Sequence, residues 1–277
     1  MLKVINEEVC KDPENLNNQF LNAIPFPHLV IDNFLREDLA EKILQDFPAL
    51  SLMHSSHHYL FNQKYELSFW SQVSDLFSEL HQDLLSDQFR EFISQISGKQ
   101  VFMDADYCGE LHQGRDGGFL DMHVDFNLHP KNETWIHELT LLIYLNKDWK
   151  DDYGGQLLMQ HHDNPKVYEV APVFNRCTII RSDETTFHGY RRLNLPENIT
   201  RKSILVNFYR EVTPEQIPPR RPTVWATKEV SPLKALLAKI YNPISSFKHR
   251  VFGLTTAGDR EEARKIKEKL KKDLNIR

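Results

Sequence analysis

The chain has 277 residues, 40% of them hydrophobic and 26% charged, with 34 Lys and Arg against 39 Asp and Glu for a net charge of −5. That length and apolar content fill the core of one large domain or two small ones and exclude an unfolded or fibrous chain. The 14 Pro and 10 Gly form no repeat, no apolar run nears the roughly 18 to 20 residues that span a bilayer, and MLKVINEEVCKDPENL lacks the apolar stretch of a secretion signal. The cytoplasm is therefore the expected location. Cys10, Cys108 and Cys177 are an odd set without CxxC spacing, which speaks against a disulfide framework or a thiolate zinc site.

In chain order, PFPHLVIDNFL (residues 25 to 35) predicts a short strand between prolines, and Leu39, Ile43, Leu44 and Phe47 predict a helix ending at Pro48. From Glu66 to Ile96 apolar residues recur every three or four positions. This spacing predicts two helices with Asp87 as the cap between them, ending at Ser97-Gly98. Beyond Gly98 the period becomes that of strands: VFMDADY, ELTLLIYLN, GGQLLM, VYEVAP, CTIIRS and KSILVNFYREV, parted by Gly, Asn, Asp and Pro. Helices followed by many short strands predict an α+β fold with an antiparallel sandwich or barrel and helices on one face. The expected divisions are a supporting region 1–98, a core 99–212, a stiff, solvated proline-rich connector 213–227 and a helical extension 228–277.

The extension differs electrostatically, with 13 Lys and Arg against 6 Asp and Glu, a net of +7 that leaves −12 for residues 1–227. Leu233, Leu236, Leu237, Ile240, Ile244, Phe247 and Val251 recur at helical spacing with Lys234, Lys239, Lys248 and Arg250 largely between them, and Pro243 predicts a kink or break. Two readings follow. The apolar stripe packs on the acidic core with EEARKIKEKLKKDL as a solvated helix, or the basic amphipathic stretch docks on an anionic membrane or acidic partner.

The chemistry concentrates in residues 99–212. His123-Val124-Asp125 follows the flexible GRDGG at the expected start of a strand, where alternation would point His123 and Asp125 to one face and one metal. His188 lies in TTFHGYRR at the end of another strand. Two His and one carboxylate that leave coordination positions open are the donor set of non-haem Fe(II) oxygenases. Alone, HxD is weak evidence and reads more often as a surface or core pair than as metal ligands. HSSHH at 54 to 58 and HHD at 161 to 163 read as loop histidines, and GRDGG and TTAGD as turns, neither placed to cradle a phosphate.

Six motifs in order, Tyr107, MHVDFN, LTLLIYLNKDW with Tyr144, GGQLLM with Gly154 and Gly155, APVFNRCTIIRSDETTFHG and RKSILVNFY, resemble the Fe(II)/2-oxoglutarate dioxygenase superfamily, on its prolyl-hydroxylase-like branch. The resemblance implies a distorted double-stranded β-helix, or jelly roll. It implies His123, Asp125 and His188 as catalytic iron ligands and Arg201 as partner of the distal carboxylate of 2-oxoglutarate, with Ser203, Tyr144 and Tyr107 beside it. Asn127 and Asn207 face the same cavity if the strand phase holds. Arg201 comes thirteen positions after His188, further than is usual, which keeps Arg191 and Arg192 as alternatives. The implied activity is an Fe(II)- and O2-dependent hydroxylation of a C–H bond coupled to decarboxylation of 2-oxoglutarate, with ascorbate an optional reductant. The retained Asp125 favours hydroxylation over halogenation. A prolyl residue is the first substrate to consider; a sugar, lipid or small metabolite is the alternative, and an inactive jelly-roll binding protein the reading from another class. No nucleic acid is expected as a partner.

Overall fold

The computed structural model describes residues 1–56, 60–226 and 231–252. In chain order the helices and strands are α1 (Pro13–Asn22), β1 (His28–Ile31), α2 (Glu37–Asp46), β2 (His54–Ser56), β3 (Asn62–Leu67), α3 (Asp75–Leu85), α4 (Asp87–Ser97), β4 (Gly109–Gly114), β5 (Phe119–Val124), β6 (Trp135–Tyr144), β7 (Leu157–His161), β8 (Tyr168–Val170), β9 (Arg176–Arg181), β10 (Thr186–Tyr190), β11 (Arg201–Glu211), β12 (Val224–Trp225) and α5 (Pro232–Phe252).

All the strand pairs are antiparallel and follow the order β1-β9-β6-β11-β4-β3-β5-β10-β7-β8, with β2 on β3 and β12 on β5. β3 turns the corner: Tyr65–Leu67 pair with β4, while Asn62 and Gln63 pair with β5 on the other wall. Strand alternation divides the side chains of the larger wall. Leu139, Leu141 and Ile143 of β6 and Ile204, Val206 and Phe208 of β11 join the helices in one core with Phe77, Phe89 and Ile93. Leu142, Tyr144 and Ile180 face inward, against Leu157 and Met159 of β7. The result is the expected jelly roll with helices on one face, its interior open to whatever the inward positions carry.

The structure departs from the periodicity in four places, the first being VFMDADY, which forms no strand and makes only an isolated bridge between Phe102 and Tyr209. Glu66 and Leu67 end a strand, and Phe69, at φ 56°, turns the chain so that the helix starts only at Asp75, capped by Ser74. Ser86, rather than Asp87, caps α4, its hydroxyl oxygen accepting from Phe89 N. Pro243 does not end α5, which continues to Phe252.

The segment 213–226 is more than a solvated connector. Its Val224 and Trp225 pair with β5, and Trp225 stacks on Phe61 at 4.9 Å. α5 docks on this ledge through Ala238 and Tyr241, two hydrogen bonds between Asn242 and Trp225, and the Lys234–Asp121 ion pair at 2.5 Å. Leu233, Leu236, Ile240, Ile244 and Phe247 stay between 53% and 69% exposed, so the packing reading holds for only part of the stripe. Val251 of that stripe, TTAGD and EEARKIKEKLKKDL have side chains or backbone outside the described residues, as do His57 and His58. Among the described residues no helix is long and apolar enough to cross a membrane.

Candidate metal and cosubstrate site

His123 is the penultimate residue of β5 rather than the start of a strand, and Asp125 lies just beyond Val124, where the strand ends. β10 pairs with β5 so that His188 stands directly opposite His123, their rings 4.4 Å apart. One ligand atom from each of His123, Asp125 and His188 lies within 4.8 Å of the others. His123 Nε2 is 3.3 Å from Asp125 Oδ1, and His188 Nε2 is 3.5 Å from Asp125 Oδ2. Both imidazoles turn Nδ1 to a backbone carbonyl, Asp121 O at 2.9 Å and Thr186 O at 3.3 Å, so that Nδ1 donates and Nε2 keeps its lone pair for the centre.

The electrostatics suit a cation. Burial alone would push the Asp125 carboxyl up, but His188 and His123 outweigh it and hold it well below the usual carboxylate range. Thr140 Oγ1 lies 3.3 Å from Asp125 Oδ2 and 3.2 Å from His137 Nε2. An ionised carboxylate only accepts, so Thr140 donates to Asp125, while His137 backs Thr140 with its Nδ1 3.2 Å from both Phe126 O and the Ser182 hydroxyl. Thr140 thus steadies the carboxylate, a contact hidden from the sequence because Asp125 and Ser182 lie far from Thr140 in the chain. The Asp125 charge in turn holds the His188 imidazole pKa up against burial, and a divalent cation would take the place of that proton, so two imidazoles and one carboxylate fit Fe(II).

Arg201, at the start of β11, is buried inside the barrel. Its Nε donates to Gly155 O at 2.8 Å, and its guanidinium lies over Tyr190 at 4.4 Å and Tyr144 at 5.2 Å. Gly155 has φ 71°, and a Cβ there would meet Arg201 Cδ at 2.8 Å, so this contact needs glycine. Ser203 pairs with Tyr144 across β11 and β6, and Tyr144 Oη, Ser203 Oγ and Thr178 Oγ1 are all buried without a hydrogen-bond partner. Burial pushes the Tyr144 phenol up to about 12 although the Arg201 charge opposes it, so it remains an O–H donor. A guanidinium held between two rings, with buried hydroxyls lacking partners beside it, is a cradle for a carboxylate such as that of 2-oxoglutarate.

Arg191 and Arg192 lie elsewhere: Arg191 pairs with Glu169, while Arg192 stacks on Phe119 and donates to Gly117 O at 2.7 Å. Tyr107 lies before β4, its ring edge-on to His129 at 5.2 Å, in a group with Trp135 and Tyr209. Asn127 is spent on the chain that follows the core, bonding Arg221 N and Pro219 O. Asn207 pairs with Thr140, on the inner face. Of the other histidines, His162 pairs with Asp163 at the surface.

Unforeseen from the sequence is a polar group on the same inner wall. His112 of β4 stands opposite both Ser203 and Glu66. Lys64 Nζ lies 3.1 Å from His112 Nε2 and 2.9 Å from Glu66 Oε1, and His112 Nε2 lies 3.2 Å from Glu110 Oε2. Glu66, Glu110 and His112 have the spacing of metal donors, but the Lys64 ammonium already supplies a cation there. Alternate polar residues on β3 and β4 are the sequence signal that could have revealed this group; the helical reading from Glu66 hid it.

Residues 109–209 match the family model described as the 2OG-Fe(II) oxygenase superfamily. No curated protein matches the chain. Among solved structures, a Trichoplax adhaerens prolyl hydroxylase in complex with a hypoxia inducible factor oxygen degradation domain peptide is 18% identical, with a TM-score of 0.57 over 74% of this chain and 93% of that one. A Pseudomonas putida prolyl-4-hydroxylase is 17% identical, with a TM-score of 0.53 over 73% of this chain and 100% of that one. A 2OG-Fe(II) oxygenase family oxidoreductase from Burkholderia pseudomallei is 14% identical, with a TM-score of 0.52 over 71% and 90%. At such identities these likenesses concern the fold. The family model thus matches the strand core, residues 109–209, that carries His123, Asp125, His188 and Arg201.

Proposed function

We propose that the chain couples oxidative decarboxylation of 2-oxoglutarate to hydroxylation of a substrate C–H bond, with His123, Asp125 and His188 holding Fe(II) and Arg201, Ser203 and Tyr144 holding the distal carboxylate. The observation that carries this reading is the meeting of three ligand atoms within 4.8 Å in the same barrel as a guanidinium beside buried hydroxyls without partners. Bound iron supplies the oxidising chemistry, with O2 and 2-oxoglutarate as cosubstrates. The protein's part is positional: the Nδ1 bonds of His123 and His188 aim Nε2, Thr140 steadies Asp125, and Tyr190 and Tyr144 set the plane of Arg201. Met159, Leu142 and Leu157 keep water from the interior.

A prolyl residue as the site of hydroxylation takes support from the prolyl hydroxylases that share the fold, and a sugar, lipid or small metabolite is the alternative. A complete donor set beside an intact arginine cradle argues against an inactive binding protein. Iron-dependent succinate formation from 2-oxoglutarate, lost in His123→Ala, tests the reading. If His123→Ala forms succinate at the wild-type rate, the ligand assignment fails.

For the partner surface, the exposed stripe of α5 supports an anionic membrane. Five large apolar side chains lie on a 21-residue helix that has Lys239, Lys248 and Arg250 besides the Asp121-paired Lys234, and no acidic residue. An apolar face with cationic flanks complements a lipid surface of opposite charge.

A further inference from the structure

The chain that follows the core returns to the mouth of the site in a fixed register. Trp225 pairs with His123 and Val224 with Val124. Further along, Asn127 N donates to Arg221 O at 3.1 Å, and Asn127 Oδ1 accepts from Arg221 N at 2.7 Å. These pairs keep one register, so Thr223 falls opposite Asp125 and Arg221 opposite Asn127. Residues directly opposite in an antiparallel pair project from the same face. Arg221, Thr223 and Trp225 therefore emerge on the side where His123 and Asp125 present their ligand atoms, and Trp225 confirms the phase with its ring 5.1 Å from that of His123.

Arg221 is the unusual member. Its Nη1 is buried and has no hydrogen-bond partner, whereas neighbouring Arg220 is paired with Glu133 and His129 O. Burial pushes its pKa down, and the charges acting against that are Asp125 first, then Glu184 and Asp183. The Asp183 carboxylate is already engaged by Thr185 and Arg181, and Asp125 is committed once a divalent cation binds. A buried guanidinium edge left unpaired costs free energy that a ligand oxyanion would return.

We propose that Arg221 is a substrate-binding residue: its free edge receives an oxyanion, carboxylate or phosphate, carried by the substrate, and holds the substrate at the mouth of the barrel beside the metal position. This rests on the oxygenase reading and adds the substrate's charge to it. The arginine that grips the cosubstrate lies inside the barrel on β11; this one lies on the strap across its mouth.

The test uses the full chain loaded with Mn(II) and 2-oxoglutarate, whose binding is first measured by electron paramagnetic resonance and calorimetry. Failure to bind either would sink the oxygenase reading, independently of Arg221. Inorganic phosphate and acetate are then titrated, with water-proton relaxation at Mn(II) as the readout. We expect saturable binding of at least one anion, weakened about tenfold or more in Arg221→Gln and less in Arg221→Lys. The anion that binds more tightly distinguishes a phosphate from a carboxylate. Retained Mn(II) affinity shows that each variant is folded. Equal anion titrations in wild type and Arg221→Gln, or no saturation by either anion in the wild type, would overturn the proposal.

Discussion

Trp225 and His123 are cross-strand partners, their rings 5.1 Å apart and tilted by 42°, so a residue from beyond the core forms one wall of the proposed metal site. Phe61 stacks on the other side of Trp225 at 4.9 Å, and Asn242 of α5 holds the Trp225 backbone. Truncating this side chain loosens His123 without removing a ligand. Trp225→Ala should weaken Mn(II) binding about 10- to 100-fold, the range typical when a partner supporting a metal ligand is lost, while Trp225→Phe keeps most of the affinity. Electron paramagnetic resonance titration measures both, and an unaltered Trp225→Ala would show that the strap serves α5 alone.

Arg201 and Gly155 form a second dependent pair, because the arginine Nε bond to Gly155 O exists only where no Cβ intervenes. Arg201→Ala should raise the half-saturating concentration of 2-oxoglutarate by about two to three orders of magnitude, corresponding to about 3–5 kcal/mol for a buried charge left alone, and Arg201→Lys by less. Gly155→Ala should act in the same direction by pushing the Arg201 side chain aside. Succinate formation against 2-oxoglutarate concentration reads all three. A comparable effect in Arg191→Ala or Arg192→Ala, with Arg201→Ala silent, would move the cosubstrate to another arginine.

These two pairs show why parts of the site were legible in the sequence and parts were not. His123 and Asp125 are two residues apart, and Arg201 and Ser203 open one strand, so alternation alone puts each pair on one face. His188 needs the motif order, since only the pairing of β10 with β5 brings it to His123. Trp225, Lys64 and Thr140 reach the site through strand neighbours distant in the chain, and local periodicity carries no trace of that. At Phe69 the local pattern misleads outright, because a left-handed turn interrupts spacing that reads as a helix.

His112 gives the inner wall a pH dependence. Burial first, and then the Lys64 charge, push its imidazole down to about 3. An unfolded imidazole titrates near 6.5, so between roughly pH 6.5 and 3 the unfolded chain binds a proton that the folded chain refuses. His112 is therefore compatible with full stability above about pH 6.5, and stability is lost as the pH falls through that window. Denaturant titrations from neutral pH downward should show the wild type losing up to about 1.4 kcal/mol per pH unit more than His112→Asn. Equal slopes would mean that the folded chain protonates His112 as readily as the unfolded one.

The last expectation concerns α5, whose stripe runs from Leu233 through Leu236, Ile240 and Ile244 to Phe247 and stays more than half exposed. Its other side is already occupied by the Phe61–Trp225 ledge, so the stripe is free to meet a surface while the helix remains docked beside β5. Burying one such side chain at a lipid interface is worth about 1.5–3 kcal/mol at most, and each nearby Lys or Arg adds about 1 kcal/mol on an anionic surface. The chain should therefore co-sediment with phosphatidylserine-containing vesicles at low salt, bind less at high salt as screening shortens the reach of the charges, and bind weakly to neutral phosphatidylcholine. Ile240→Ser with Phe247→Ser should remove most of the binding without lowering stability, because neither side chain is buried. If the double variant binds like the wild type, or if the wild type ignores anionic vesicles at low salt, the membrane is the wrong partner. If it instead lowers stability in the absence of vesicles, the stripe is covered by another part of this chain.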